Sequence, residues 1–376
     1  MRAKMTKLVS LLVVSLIIVS AFAGCSKKDD DSIVIGVLLP TSGSEAEYGN
    51  DMLRSYQFAV DEINEAGGIL GRKVTLYQAD DGCDADMASS AASKIVSKNI
   101  DFVVGGYCSG ATVPAMQQFY EENMLFLISG ANSTKITEAG FNQTFMLNGT
   151  SVHASSTLAE LCLSLDVKKV ALVHQGEDYS KDLSDVCEKA LPQSGIEIAT
   201  IQLFPKGNTD AASISTAIRN SGADFVYWCG YHADGSVVIK QLRNDGYPGY
   251  IAVGDGSSSV ELISFCGEAG EGLYVTSPPF VKFTLGGEEF FDAYSEKYGM
   301  EPGTYATLCY DTMYVLKEAI EKAGSTDFEA VRENVQNAEY QGLSGFIQFT
   351  ENRELATSNF IVLKVENGEF KLVTLE

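Results

Sequence analysis

Apolar and polar positions alternate along the chain in a pattern that predicts strands and helices in turn. Residues 33–39 are continuously apolar and are followed by Pro40-Thr41-Ser42-Gly43, which is typical of a parallel strand buried on both faces. Residues 49–66 carry apolar side chains at helical spacing, and Gly67-Gly68 then supply the left-handed backbone that ends a helix. The body of the chain is therefore predicted to begin with a strand and a helix.

The same strand-helix unit repeats in two series. The first series continues with the strands 74–78, 102–105 and 125–128 and the helices 86–98 and 112–123. The second series comprises the helices 154–165, 181–191, 210–220 and 235–245 and the strands 170–174, 196–203, 225–229 and 250–253. Short connections and helices of this length favour an α/β fold with doubly wound, mostly parallel sheets, so two similar half-proteins are predicted.

The last hundred residues follow Ser277-Pro278-Pro279 and change in character. They predict helices at 288–298, 304–322 and 328–337 and a strand near 346–349. A hairpin of strands 360–365 and 371–375 then turns at Asn367-Gly368. No low-complexity run or flexible linker separates the two halves.

The amino terminus has the pattern of a targeting segment. Basic residues precede an apolar run over 8–23 that is too short for a comfortable transmembrane helix, and Phe-Ala-Gly-Cys ends it at Cys25. We interpret residues 1–24 as a lipoprotein signal peptide, Cys25 as the lipidated residue and residues 25–32 as a solvated tether. The alternative is an uncleaved anchor with Cys25 uninvolved. Both interpretations place the body of the protein outside the cytoplasm.

Length and charge restrict the class of protein. Without residues 1–24, 352 of the 376 residues remain, which is enough for two domains with cores of ordinary size. The net charge of −23 becomes about −26 once Arg2, Lys4 and Lys7 are removed. This acidity opposes binding to nucleic acid or to an anionic membrane surface, so no nucleic-acid partner is expected. We expect a monomer.

Eight cysteines and three histidines carry no metal-binding pattern. There is no C-x-x-C, and only His153, His174 and His232 could add nitrogen ligands, so we expect neither a metal nor a cofactor. Seven cysteines remain after Cys25, so at least one is unpaired. A disulfide is permitted outside the cytoplasm, and Cys83 and Cys108 both lie in loops at strand ends.

Ligands of open α/β sheets bind beyond the carboxyl ends of the strands, where loops offer free N–H groups and helix amino termini. In the first half these loops are rich in small hydroxyl residues, as in 106–110 and 129–133. In the second half the loops at 175–179, 230–232 and 254–256 add aromatic residues and one acid, Asp255. These loops are the predicted site.

The chain resembles the branched-chain amino-acid binding proteins of ABC importers, which have the type I periplasmic-binding-protein fold. The resemblance covers nearly the whole mature chain and rests on these segments: Ala46-Glu47-Tyr48-Gly49, Asp61-Glu62-Ile63-Asn64, Gly67-Gly68-Ile69, Asp80-Asp81-Gly82-Cys83, Gly105-Gly106-Tyr107-Cys108-Ser109, Gly230-Tyr231-His232 and Ala269-Gly270-Glu271-Gly272-Leu273. It implies a Cys83–Cys108 disulfide and two lobes joined by three crossover strands near Gly149, Ser277 and Leu355. The N-terminal lobe would then comprise 33–149 with 278–355, and the C-terminal lobe 150–277 with 356–376.

The resemblance also implies a set of ligand-binding residues. They are Tyr48, Tyr107, Cys108, Ser109, Ala131, Asn132, Ser133, Tyr179, Tyr231, Asp255 and Tyr305. A zwitterionic amino acid offers a carboxylate that needs N–H and O–H donors and an ammonium that needs an acceptor. Ser109 and Ser133 near helix starts suit the carboxylate. By similarity Asp255 takes the ammonium, assisted by the faces of Tyr179 and Tyr231.

Each of these residues also has a purely structural interpretation. Ser109 and Ser133 could cap the helices that follow them, which is compatible with binding a ligand. Tyr179 and Tyr231 could be core aromatics. Asp255 lies between two glycines after an apolar strand and could simply shape a turn.

The sequence departs from the family where ligand identity is decided. Asp255 stands where such proteins often have Glu, Asn132-Ser133 replaces Ala-Thr, and Tyr107 and Tyr305 crowd the expected side-chain pocket. With His232 nearby, these changes favour a smaller or hydrogen-bonding amino acid over leucine, although an aliphatic side chain is also compatible.

The expected function is an extracytoplasmic binding lipoprotein that captures an amino acid and delivers it to the permease subunits of an ABC importer. An enzyme is not expected, because no G-x-S-x-G elbow or recognisable nucleophile-base pattern is present. Two alternatives remain open at this point. One is a binding protein for an amide, a urea-like molecule or an aromatic acid, and the other is a ligand-sensing receptor module.

Overall fold

The computed structural model describes residues 32–375, and its first layer is a parallel sheet of five strands. The strand order is β2-β1-β3-β4-β5, and every neighbouring pair is parallel. The strands are β1 Ile33–Leu39, β2 Val74–Asp80, β3 Phe102–Gly105, β4 Leu125–Ile128 and β5 Thr144–Met146. In β1, Ile35, Val37 and Leu38 are fully buried. Each such side chain stabilises the fold by roughly 1.5–3 kcal/mol, which explains why this strand has no polar face.

Two groups of helices, far apart in the chain, pack on this sheet. The first group is α1 Ala46–Glu65, α2 Ala85–Val96, α3 Ser109–Glu121 and the short α4 Thr134–Glu138. The second group is α10 Gly287–Tyr298, α11 Ala306–Ala323 and α12 Phe328–Gln336. Phe58 of α1 meets Phe290 of α10 with 4.9 Å between ring centroids, and α11 packs along α1. We call this sheet with both groups of helices the first lobe.

The second layer is a sheet of seven strands in the order β14-β13-β10-β9-β8-β6-β7. Its strands are β6 Lys169–His174, β7 Glu197–Leu203, β8 Phe225–Cys229, β9 Tyr250–Val253, β10 Tyr274–Ser277, β13 Ile361–Glu366 and β14 Glu369–Val373. The pairs from β7 to β10 are parallel, whereas β13 and β14 add an antiparallel hairpin at one edge. The sheet is therefore mostly parallel, as predicted.

Five helices accompany the second sheet. They are α5 Ser151–Ser164, α6 Asp178–Ala190, α7 Ala212–Ser221, α8 His232–Asn244 and α9 Val260–Cys266. We call this sheet with its helices the second lobe. The remaining strands, β11 Tyr340–Gly342 and β12 Gly345–Ile347, form a small separate hairpin, so the strand predicted near 346–349 is shorter and begins earlier.

The chain passes between the lobes three times. It leaves the first lobe after β5, returns after β10, and crosses again before β13. Two of the crossing segments touch, because the Asn359 Nδ2 donates to the Leu147 carbonyl at 3.4 Å. A Cβ on Gly149 would lie 2.8 Å from the Phe360 ring, so only glycine allows this approach. The residue boundaries predicted for the two lobes stay predictions.

Several predicted features concern the membrane. The signal peptide over 1–24, the lipidated Cys25 and nearly all of the 25–32 tether lie outside the described residues. Within residues 32–375, no helix combines the length and the apolar character needed to span a bilayer.

Candidate ligand-binding site

The two sheets point the carboxyl ends of their parallel strands at one another, and the predicted site residues lie between them. Tyr48 is in the first turn of α1, and Tyr305 directly precedes α11. On the other lobe, Tyr179 and Tyr231 begin α6 and α8, and Asp255 follows β9. All eleven predicted residues are buried, none with more than 5% of its surface exposed. The structure therefore brings the whole predicted set together at one interface.

Asp255 is the centre of the hydrogen bonding in this interface. Its Oδ1 accepts from the Tyr179 hydroxyl at 2.9 Å and from Asn132 Nδ2 at 3.1 Å. Its Oδ2 accepts from Asn132 Nδ2 at 2.9 Å, from Asn148 Nδ2 at 3.2 Å and from the Tyr305 hydroxyl at 3.2 Å. Asp255 also opens a 3-10 turn, Asp255–Ser257, so its backbone shapes the turn while its side chain bonds to both lobes.

Burial and hydrogen bonding act in opposite directions on this carboxyl. Removal from water penalises the charged form and raises the pKa of Asp255, whereas the donors from Tyr179, Asn148, Asn132 and Tyr305 lower it. Burial is the larger effect, so the pKa lies above its usual value. All four donors are neutral groups. When Asp255 is ionised, its hydrogen-bond partners stabilise the charge by their dipoles alone.

Five tyrosines surround the carboxyl. Tyr48 and Tyr107 are stacked with 4.9 Å between centroids, and Tyr107 meets the edge of Tyr305 at 5.5 Å. Tyr231 lies 5.3 Å from Tyr179 and 5.9 Å from Tyr107. These rings come from both lobes and present faces that favour a cation. They pack on one another as core aromatics do, so the structural and functional interpretations of Tyr179 and Tyr231 coincide.

The serine side of the site is formed by two loops of the first lobe. Ser109 is the first residue of α3, and its Oγ accepts from the Ser133 backbone N–H at 3.3 Å. Ser133 caps α4 by accepting from the Lys135 N–H at 3.3 Å. Both hydroxyls therefore have local partners, and the capping role considered for Ser133 is real.

The start of α3 is held in place by the disulfide between Cys83 and Cys108. Their Cα atoms are 5.4 Å apart, which confirms the pairing implied by the resemblance. Cys108 immediately precedes α3, so the bond ties the loop after β2 to the helix start that carries Ser109. The other cysteines of residues 32–375 are buried and unpaired: Cys162, Cys187, Cys229, Cys266 and Cys309.

Sequence reasoning missed two polar residues that join the lobes. Asn148 follows β5, a strand too short to be predicted, and reaches Asp255 while also donating to the Gly130 carbonyl at 2.7 Å. Asp182 of α6 accepts from the Thr134 N–H at 2.9 Å and from the Ser151 hydroxyl at 2.6 Å. Lys135 also pairs with Asp178 across the gap. No local pattern marks such residues, because their partners are distant in the chain.

Two glutamates at the start of α1 were also missed. Glu45 is only 1% exposed, and this burial raises its pKa to about 7. Its Oε2 lies 3.7 Å from His232 Nδ1. Glu47 lines a groove of about 550 Å³ at the mouth of the site together with Glu261 of the second lobe. A hydrogen bond shared with Glu261, followed by burial, raises the pKa of Glu47 to about 7. The lobes thus meet here through two acids.

Metal binding was not expected from the sequence. In residues 32–375 no group of three or more histidine, cysteine, aspartate or glutamate side chains is arranged to hold a metal ion.

Two lobes that face each other with strand carboxyl ends, joined by three crossings and by a buried acid bonded from both sides, define a two-lobed solute-binding protein. The family model described as periplasmic binding protein matches residues 32–369. Members of this family bind solutes outside the cytoplasm. The predicted type I fold is confirmed.

Three known proteins show how close the similarity is. The chain is 31% identical over 368 residues to the Leu/Ile/Val-binding protein BraC3 of Rhizobium johnstonii, which covers 97% of this chain and 99% of that one. It is 27% identical over 333 residues to the leucine-, isoleucine-, valine-, threonine- and alanine-binding protein of Pseudomonas aeruginosa, covering 88% and 89%. The crystal structure of the leucine-binding protein LivK of Thermotoga maritima has a TM-score of 0.85 and 26% identity, covering 91% and 98%. The chain belongs to the branched-chain amino-acid binding proteins of ABC transporters, and the predicted resemblance is confirmed.

Proposed function

We propose that this protein captures an α-amino acid between its lobes outside the cytoplasm and delivers it to the permease subunits of an ABC importer. It acts as a monomer tethered through a lipid on Cys25 and catalyses no reaction on its ligand. The family and the relatives named above support the class of ligand, and the signal-like pattern over 1–24 supports the tether.

The observation that carries the proposal is the environment of Asp255. Its carboxyl is 1% exposed and is met by four neutral donors, the hydroxyl groups of Tyr179 and Tyr305 and the amide groups of Asn132 and Asn148. Such donors hold the charge without neutralising it. An α-ammonium placed at this carboxyl would supply the missing positive charge, and each hydrogen bond to a charged group contributes roughly 1.5–3 kcal/mol.

The α-carboxylate has its place on the first lobe. Ser109 at the start of the thirteen-residue α3 and Ser133 in the loop after β4 are adjacent, as their 3.3 Å hydrogen bond requires. Each hydroxyl oxygen accepts from a backbone N–H, of Ser133 or of Lys135, so each O–H can still donate to an incoming carboxylate, and the amino end of α3 favours negative charge. A zwitterion oriented in this way contacts both lobes at once.

Closure is the signal that the transporter reads. A ligand that contacts both lobes stabilises the closed arrangement over an open one by the contacts it makes only when the lobes meet. The Thr134–Asp182 and Lys135–Asp178 contacts form on the same closure. The permease therefore meets a different surface when the ligand is bound.

A thermal-shift screen tests this function. The purified protein is refolded to remove any bound ligand and then mixed with the twenty amino acids, their amides, urea-like molecules and aromatic acids. An α-amino acid that binds the native state adds about 2.7 kcal/mol of stability at a hundredfold excess over its Kd and raises the melting temperature. Stabilisation only by compounds that are not amino acids, or by none of them, would overturn the proposal.

A further inference from the structure

A second buried carboxyl lies in the cleft, on the opposite lobe from Asp255. Glu45 occupies the loop between β1 and α1 and is 1% exposed. Its Oε2 has no hydrogen-bond partner among the described residues. The Ser44 side chain hydrogen-bonds to the same carboxyl group, but an Oε2 buried without a donor of its own is still costly.

His232 of the second lobe has the same deficit. It is the first residue of α8, it is 4% exposed, and its Nδ1 also lacks a partner within residues 32–375. The two unsatisfied atoms, Glu45 Oε2 and His232 Nδ1, are 3.7 Å apart, which is too long for a hydrogen bond between them. One further polar atom beside both could bond to each at an ordinary distance. The pair therefore has the geometry of a site for a single polar group.

This pair and Asp255 lie at two ends of one layer of tyrosines. His232 is 5.4 Å from Tyr48 between ring centroids, and Tyr48 stacks on Tyr107 at 4.9 Å. Tyr107 contacts Tyr305, whose hydroxyl donates to Asp255 at 3.2 Å. The Tyr107 hydroxyl is itself buried without a partner in the described chain. A ligand with its α-ammonium at Asp255 would thus extend its side chain along these rings toward Glu45 and His232.

We propose that Glu45 and His232 recognise the ligand's side chain, and that the ligand is an α-amino acid whose side chain ends in a hydrogen-bond donor. This inference rests on the proposed function and narrows its ligand class. A hydroxyl would donate to Glu45 and accept from the protonated Nδ1 of neutral His232. An ammonium would donate to Glu45 and to an unprotonated Nδ1. Both groups satisfy the two orphaned atoms with one ligand atom.

Aliphatic side chains are disfavoured for the same reason. A methyl group at this point would exclude water from Glu45 and His232 and would offer neither a bond. Rejection of a ligand that lacks the matching polar group is strong when the site's own polar groups are left unpaired. The expected preference for the donor-bearing ligand is roughly 10- to 100-fold.

Isothermal titration with matched ligand pairs tests this inference. 5-Hydroxynorvaline and norleucine have the same shape and differ by a terminal hydroxyl in place of a methyl, and ornithine and norleucine differ by a terminal ammonium in place of a methyl. We expect the protein to bind the donor-bearing member of at least one pair roughly 10- to 100-fold more tightly. The pair that shows the preference identifies the donor. Equal affinity within both pairs, or tighter binding of norleucine, would overturn the inference.

Two variants locate the preference. Glu45→Gln should lower the ratio within the preferred pair, whereas Glu65→Gln, which removes a carboxylate from the exposed far end of α1, should keep it. His232→Phe retains a ring against Tyr48 and removes the ring nitrogens, so it should lower the affinity ratio in the same way. It serves as the test if Glu45→Gln fails to fold. An unchanged ratio in a folded Glu45 or His232 variant would refute their role. Failure to bind any α-amino acid would instead refute the proposed function.

Discussion

Two buried aspartates of this protein, Asp255 and Asp311, differ in where their hydrogen-bond donors come from. Asp311 of α11 accepts from the Leu343 and Ser344 N–H groups at 2.9 and 2.7 Å and from the Ser344 hydroxyl at 2.6 Å. All three donors belong to the tight turn between β11 and β12. Asp255 receives its donors from side chains of both lobes. A carboxyl that accepts from a single turn stabilises that turn. A carboxyl that accepts from both lobes gains or loses hydrogen bonds as the lobes close or open.

The pKa direction does not separate these two aspartates. Burial raises the pKa of Asp311 to about 6, and it raises that of Asp255 as well. A perturbed carboxyl is therefore weak evidence of function on its own. The distribution of its partners over movable parts of the molecule is the more informative property.

The largest expected effect is on ligand binding by Asp255→Asn. The substitution keeps the shape but removes the charge that the α-ammonium needs, so affinity should fall by about 100-fold or more. The melting temperature of ligand-free protein should change little, because three of the four donors to Asp255 lie on the facing lobe and their hydrogen bonds are lost in any case when the lobes separate. Calorimetric titration and thermal unfolding measure the two quantities. Intact affinity with a large loss of stability would make Asp255 a structural residue.

Asp311→Asn should show the opposite result. In the native protein both carboxylate oxygens accept from backbone N–H groups, and in the variant an amide NH₂ group would face one of these donors instead. The free energy of unfolding should therefore fall by about 2–4 kcal/mol. Urea unfolding of the ligand-free protein measures this loss. Ligand affinity of the folded variant should be unchanged, and a selective loss of affinity would contradict the comparison.

Asn132→Ala should change the balance between open and closed lobes. It removes a first-lobe donor from Asp255, and a hydrogen bond to a charged group contributes roughly 1.5–3 kcal/mol. The open form of the ligand-free protein should gain roughly tenfold or more relative to the closed form. Small-angle scattering should then give a larger radius of gyration. Gln336→Ala, far from the cleft, is the control, and an equal change in both variants would count against the interpretation.

The smallest expected effect is a pH dependence of binding at the cleft mouth. The pKa of Glu47 is raised to about 7 where it meets Glu261, and separation of the lobes would return it toward 4.5. Closure therefore takes up a proton at Glu47, so the contribution of Glu47 to affinity is fully present below about pH 4.5 and is lost as the pH rises through about 7. Because Glu47 is mostly exposed, the decline should be only about threefold. Titrations of Glu47→Gln across this range should show a flatter profile than the native protein, and identical profiles would contradict the assignment.

The strands were predictable because burial on both faces leaves a continuous apolar signal, as in β1 and β8. Five helices begin three residues before their predicted starts, at Ala46, Ser109, Ser151, Asp178 and His232. Their first turns face the cleft and are partly buried but rich in polar and small residues, so hydrophobic periodicity does not predict them. Short elements such as β5 and α4 were missed, because pairing with distant segments decides them.

The candidate site was predictable in its loops and less so in its partners. The acid after β9 and the serines at strand ends follow from the rule for α/β sheets and from the resemblance. The contacts of Asn148, Asp182 and Glu45 across the interface form only when the lobes meet, since the groups they face lie in other parts of the chain. Local sequence contains no information about that meeting.

The three crossings also govern how the protein can be made. The first lobe needs α11, which ends at residue 323, and the second sheet needs β13 and β14, which end at residue 373. Neither half can complete its core while the ribosome or an export channel still holds the last fifth of the chain. Stable tertiary structure therefore forms only when translocation is nearly finished. Until then the polypeptide stays unfolded enough to pass through an export channel.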